Sequence, residues 1–176
     1  RFPDIDFISA QMTPTMKLND HTPEEEKCRS MYLCIEEQPL NGKVVNFIGD
    51  SFPIATTGDH MKLLHKHGFR THDLAAMDDY AEYKAMGESF LNIYSLPVAA
   101  WSAACLEEIL GQQFIYMPYT YIYYEIDRDM TRLAAVLDVE APDLTDMRTE
   151  AEESLANALS IVGNTQIGID YMSTPR

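Results

Sequence analysis

Asp50 and Ser51 directly follow the apolar run Val44-Val45-Asn46-Phe47-Ile48, and Ser95 directly follows a second such run, Phe90 to Tyr94. A carboxylate and hydroxyls at strand ends can face a bound molecule, and the backbone amides and helix start beyond Asp50 and Ser51 can receive an anion. The same residues also have plain structural uses, a tight turn held by Asp50 and a helix cap at Ser95. Neither strand end carries GxGxxG or GxxxxGK[ST], so nucleotide binding through a standard fingerprint has no support. No GxSxG elbow surrounds Ser95, which argues against a hydrolytic nucleophile. No acid/base set presents itself, and no catalytic residue is assigned.

His60, His65 and His67 cluster, with His72 beyond them. His60 and His67 share a helix face, but no carboxylate or cysteine completes a ligand set at suitable spacing. The expectation is therefore solvent-facing histidines on an amphipathic segment, and no metal site. Cys28 and Cys34 are six residues apart, about 120° around a helix, and with Cys105 they form no ligand motif. They suggest buried free thiols in a reducing compartment. The run from Phe114 to Tyr124 holds five tyrosines, Tyr119 among them. These rings can line a flat hydrophobic ligand or a subunit interface, or pack in a core.

These residues need a scaffold, and the chain supplies one from Lys43 to Leu74: strand, polar loop 49–57, helix, Gly68 stop, strand. Thr57 or Thr56 can cap the helix, whose apolar side carries Met61, Leu63 and Leu64. The two strands are expected to lie parallel in one sheet, with ligands binding outside their carboxyl ends. Upstream, Ile5 to Ser9 reads as a strand. Thr22-Pro23-Glu24-Glu25 opens a helix that should run to about Glu36, burying Met31, Leu33, Cys34 and Ile35. Downstream come a short helix from Asp78 to Gly87 and the strand Phe90 to Tyr94. A helix then starts at Pro97, with Val98, Trp101, Cys105 and Ile109 as its apolar stripe and Gly111 as its stop, and the strand Phe114 to Met117 follows. Tyr123 to Leu137 and Asp143 to Val162 read as two long helices, and Gln166 to Met172 as a strand. The alternation predicts an α/β fold, a parallel sheet with helices on both faces, followed by long C-terminal helices.

The 176 residues suit one large domain or a domain with a fragment of another, and 46% are hydrophobic, so a sizeable core is expected. Thirteen basic against 28 acidic residues give a net charge of -15. That charge argues against nucleic-acid binding and favours a solvated acidic surface or a basic partner. No apolar run is long enough to span a bilayer, and no signal peptide is visible, so a cytoplasmic protein without a membrane partner is expected.

The order of segments resembles the component 1 family of nitrogenase-like oxidoreductases. The matching pieces are Pro3-Asp4-Ile5-Asp6-Phe7-Ile8 with Met12-Thr13-Pro14, the strand Lys43 to Gly49, and the module Ala99 to Tyr119. That module contains Leu106-Glu107-Glu108-Ile109-Leu110-Gly111 and Phe114-Ile115-Tyr116-Met117-Pro118. The resemblance implies a Rossmann-like middle domain over residues 1–163 and the truncated start of a following domain over 164–176. It also implies a role in electron transfer to a bound metal cofactor or a tetrapyrrole-like substrate. The implied partners are a homologous component 1 subunit and an ATP-dependent iron-sulfur reductase. The fragment alone would hold no cofactor and be inactive, with an iron-sulfur cluster or metal cofactor implied for the full-length protein. Asp50, Ser51, Ser95 and Tyr119 are the expected cofactor-facing residues. Where nitrogenase's catalytic subunit places a cofactor-holding cysteine, this sequence aligns Ser95, which points away from nitrogen fixation and toward a divergent member. The alternatives are a cofactor-assembly scaffold, a protein-interaction domain that uses the tyrosine-rich segment, or a free-standing small-molecule-binding domain.

Overall fold

A computed structural model describes Phe7 and residues 21–166. They form an α/β fold in which the chain divides into two compact units, one ending at Pro118 and one beginning at Tyr119. The first unit contains α1 (Pro23–Ser30), β1 (Asn41–Phe47), α2 (Asp59–Lys66), β2 (Arg70–Asp73), α3 (Tyr80–Ala85), β3 (Ser89–Tyr94), α4 (Ala100–Leu110) and β4 (Gln113–Tyr116). The second contains α5 (Tyr123–Leu137) and α6 (Thr145–Val162).

All four strands are parallel, in the order β2-β1-β3-β4. Val45 pairs with Thr71 on one side and Leu91 on the other, and Ile93 pairs with Ile115. The central strand β3 and residues 44–47 of β1 are almost wholly buried, as expected of a parallel sheet covered on both faces. Side chains alternate along β1, so Phe47 and Ile48 point to opposite faces. Phe47 meets His60 of α2 at 5.5 Å between ring centroids. Ile48 belongs to the cluster formed with Cys28, Tyr32, Tyr83, Met86, Tyr94, Ala103 and Leu106, from α1, α3, β3, α4 and their connections.

Local signals place most of the ends. Thr22 and Glu25 form a reciprocal capping box at the start of α1, with Pro23 in its first turn. Gly68 (φ 73°) follows α2 and Gly111 (φ 68°) ends α4, both in the left-handed region that a side chain would resist.

Several expectations need correction. The first helix stops at Ser30 rather than running to Glu36; residues 31–34 tighten into turns whose amides reach back three residues, and this buries Tyr32 and Ile35 while leaving Leu33 exposed. The cap of α2 is Gly58, without a side-chain bond, and not Thr56 or Thr57, because the helix begins only at Asp59. Asp79 caps α3. Pro97 opens a single 3-10 turn, 97–99, and α4 follows it. The buried stripe of α4 is Ser102, Ala103, Leu106 and Leu110, whereas Ile109 is 61% exposed. The expected strands at 5–9 and 166–172 lie outside the described residues, apart from Phe7 and Gln166, which stand in no regular element. No helix among the described residues is long and apolar enough to cross a membrane.

In the second unit, α5 turns Met130, Leu133, Ala134 and Leu137 to one side, at helical spacing, and all four are buried. Asp129 on the same helix is also buried, held by Arg128 at 3.0 Å and Arg132 at 3.2 Å. Arg148 of α6 lies over the Tyr123 ring at 4.6 Å.

Candidate functional site

From β1 the chain moves outward to β2, then returns to the other side of β1 to form β3. The connections after β1 and β3 therefore diverge and open a crevice at the carboxyl end of the sheet, where ligands of open α/β folds bind. Phe47 pairs with Ile93, and the Ile48 amide donates to the Ile93 carbonyl at 3.0 Å, so the two strands end side by side. Asp50, Ser51 and Ser95 stand on this one edge, the first and last partly buried and Ser51 exposed.

Three contacts shape the β1 turn. Gly49 (φ 90°) lies against Ala99 at the start of α4, so close that a Cβ on Gly49 would overlap the Ala99 methyl. Its amide donates to the Tyr32 hydroxyl at 2.8 Å. Farther along the loop, the Ile54 amide donates to Asp73 Oδ2 at 2.7 Å, while Ala75 donates to Asp73 Oδ1 at 3.0 Å, which ties loop and β2 to one carboxylate. On the β3 side, the 3-10 turn begun by Pro97 leads into α4, whose first amides have no side-chain cap. Those amides lend the crevice a partial positive charge.

Beside the crevice, Trp101 in the first turn of α4 makes two close ring contacts. The His21 ring stacks on it at 3.7 Å, and the Arg29 guanidinium lies 4.4 Å from its centroid. Cys28 is buried and accepts a hydrogen bond from the Ser102 hydroxyl at 3.3 Å. Burial pushes its thiol pKa up and the charge of Asp50 adds to that, so Cys28 stays protonated and unreactive. Burial also raises the Tyr32 hydroxyl pKa far above the tyrosine range, which keeps it neutral against Gly49.

Tyr119 belongs to the second unit, where it is 43% exposed. The other three expected residues share one edge of the sheet in the first unit. The histidines do not all face solvent as expected: His65 is exposed, but His60 packs against Phe47, and burial lowers the pKa of both His60 and His72. Among the described residues no three His, Cys, Asp or Glu side chains converge as ligands would. The described residues therefore do not fit an iron-sulfur cluster held by this chain alone.

Sequence reasoning missed a buried amide chain beneath the crevice. Asn46 and Asn92 are register partners, and Asn46 Nδ2 donates to Asn92 Oδ1 at 2.9 Å and to the Met86 carbonyl at 3.0 Å. Asn92 Nδ2 donates to Gln112 Oε1 at 3.0 Å, and Gln112 Nε2 returns to the Met86 carbonyl at 2.8 Å. All three side chains are fully buried. A signal was present in the sequence, because each asparagine interrupts an apolar run, Val44 to Ile48 or Phe90 to Tyr94.

Comparison with protein-family models, with curated proteins and with solved structures finds no match to this chain.

Proposed function

We propose that the chain is the ligand-facing domain of a nitrogenase-like oxidoreductase subunit, with the crevice between β1 and β3 turned toward a metal cofactor or a tetrapyrrole-like substrate. The observation that carries this reading is the meeting of Asp50, Ser51 and Ser95 at one switch point of an all-parallel sheet. The sequence resemblance supplies the chemistry. In this reading the chain binds and orients: the Ser95 hydroxyl and the first amides of α4 meet anionic or carbonyl oxygens, and Asp50 accepts from donors on the ligand. Electrons come from an ATP-dependent iron-sulfur reductase, and a homologous subunit completes the site.

The test is anaerobic purification of the full-length parent protein, followed by metal analysis and an absorption spectrum. Bound iron with a charge-transfer band is the expected result, and a Ser95→Ala variant should lose bound cofactor or substrate while remaining folded. A colourless, iron-free parent protein would overturn the reading.

One observation favours a second reading, an interaction or cofactor-assembly scaffold domain. Tyr121 and Tyr124 are 73% and 72% exposed, with Ile122 between them also exposed. Exposed aromatics of this kind suit a contact surface.

A further inference from the structure

The four residues of β2, Arg70, Thr71, His72 and Asp73, all line one cleft of about 520 Å³. Successive strand residues point to opposite faces, so a single cleft can touch all four only by running along the open backbone edge of the strand. β2 is an edge strand, paired with β1 alone among the described residues. It lies recessed between Met61 and His65 of α2 on one side and Met77 and Glu82 on the other. The volume falls within the roughly 300–1,000 Å³ typical of ligand pockets.

We propose that this cleft receives an extended peptide, which adds a fifth strand alongside β2 and alternates apolar with basic or hydroxyl side chains. Half of the β2 peptide groups face away from β1, as in any edge strand, and offer the donors and acceptors that such a segment would pair. The two walls set the alternation. Register places Thr71 and Asp73 on the face of Phe47, where Phe47, Met61 and Phe69 form an apolar floor. Arg70 and His72 lie on the opposite face, toward Glu82.

That second wall wants a donor. Burial and the neighbouring Arg70 charge lower the pKa of His72, so near neutral pH its ring adds no positive charge to this wall. Arg70 is already held by Glu88 at 2.8 Å, whereas Glu82 makes no ion pair among the described residues. The wall is therefore acidic, in keeping with the net charge of -15, and suits a lysine, arginine or hydroxyl side chain. The same acidity disfavours a second copy of this chain as occupant. The recess between α2 and α3 also suits a single strand better than another helix-flanked sheet.

The probe is a terminally blocked, fluorescein-labelled Lys-Val-Lys-Val-Lys-Val peptide, titrated into the full chain by fluorescence anisotropy. Amide hydrogen exchange follows the same titration. Saturable binding is expected, with exchange slowed at amides within residues 70–73. N-methylation of alternate peptide amides should weaken binding by about tenfold or more, since two or more strand bonds are lost. Glu82→Lys, an exposed substitution that also gives up the hydrogen bond Glu82 accepts from the Asp78 amide at 3.1 Å, should weaken it by about fivefold. The proposal is overturned if no binding occurs, or if the N-methylated peptide binds as well. It is also overturned if Glu82→Lys has no effect, or if the chain self-associates and a second copy protects the same amides.

Discussion

Gly49 and Ala99 touch backbone to methyl, which seats the turn after β1 directly on the start of α4. The contact brings the loop bearing Asp50 and the helix that follows Ser95 into one crevice, and it needs a residue without a Cβ that can hold φ at 90°. Gly49→Ala should destabilise the chain by roughly 2–4 kcal/mol, combining left-handed strain with an overpacked contact. Urea unfolding measures the loss. Adding Ala99→Gly should recover the steric part and leave the backbone part, so a double variant no more stable than Gly49→Ala would show that the contact is not the cause.

The amide chain beneath the crevice predicts an asymmetric cost. Asn92→Leu is close in size, but it removes both the acceptor for Asn46 Nδ2 and the donor to Gln112 Oε1. Leaving these groups buried and under-satisfied should cost roughly 2–4 kcal/mol, well above the effect of an isosteric apolar swap. Chemical denaturation of Asn92→Leu beside Leu91→Met, a volume-conserving control on the same strand, makes the comparison. Equal losses would mean that the network contributes nothing beyond packing.

Local chemistry made much of this fold legible, and tertiary contact hid the rest. The Thr22 capping box, the Gly68 and Gly111 stops and the apolar runs of β1 and β3 all act over a few residues, so the sequence alone places them. The buried face of α4 was hidden because that helix is apolar on more than one side. Val98, Trp101, Cys105 and Ile109 recur at helical spacing as well as Ala99, Ala103, Leu106 and Leu110 do. The close approach to Gly49 selects the stripe with small residues, and only the assembled sheet reveals that approach. At the site, the shared edge of Asp50, Ser51 and Ser95 followed from strand order. The roles of Tyr32, Asn46 and Asn92 depend on partners 17 and 46 residues away, which no local pattern encodes.

Burial of His60 and His72 gives stability a pH dependence. Both have pKa values below the ordinary 6.5, mainly through desolvation, so just under pH 6.5 the unfolded chain binds more protons than the folded one. Their contribution is fully present above 6.5 and is lost as pH falls through that value toward the lowered ones. Replacing His60 with leucine, which keeps an apolar contact to Phe47, should flatten the dependence between pH 6.5 and the onset of carboxylate protonation. Unfolding midpoints of both proteins across that window check the sign. Parallel curves would mean that His60 remains hydrated.

Tyr32 tests whether the first helix and the candidate site are one mechanical unit. Its hydroxyl is the acceptor for the Gly49 amide at 2.8 Å, and the early end of α1 at Ser30 is what lets the following turn carry the ring under that loop. Tyr32→Phe keeps the ring in the core but removes the acceptor, and an amide left unpaired in a partly buried turn costs roughly 1–3 kcal/mol. The loss should appear locally as well as globally. Amide exchange at Gly49 and Asp50 should accelerate more than exchange in the centre of β3, which gives up no bond. Uniform acceleration across the sheet would instead mean that Tyr32 serves the core as a whole, with no particular hold on the Asp50 turn.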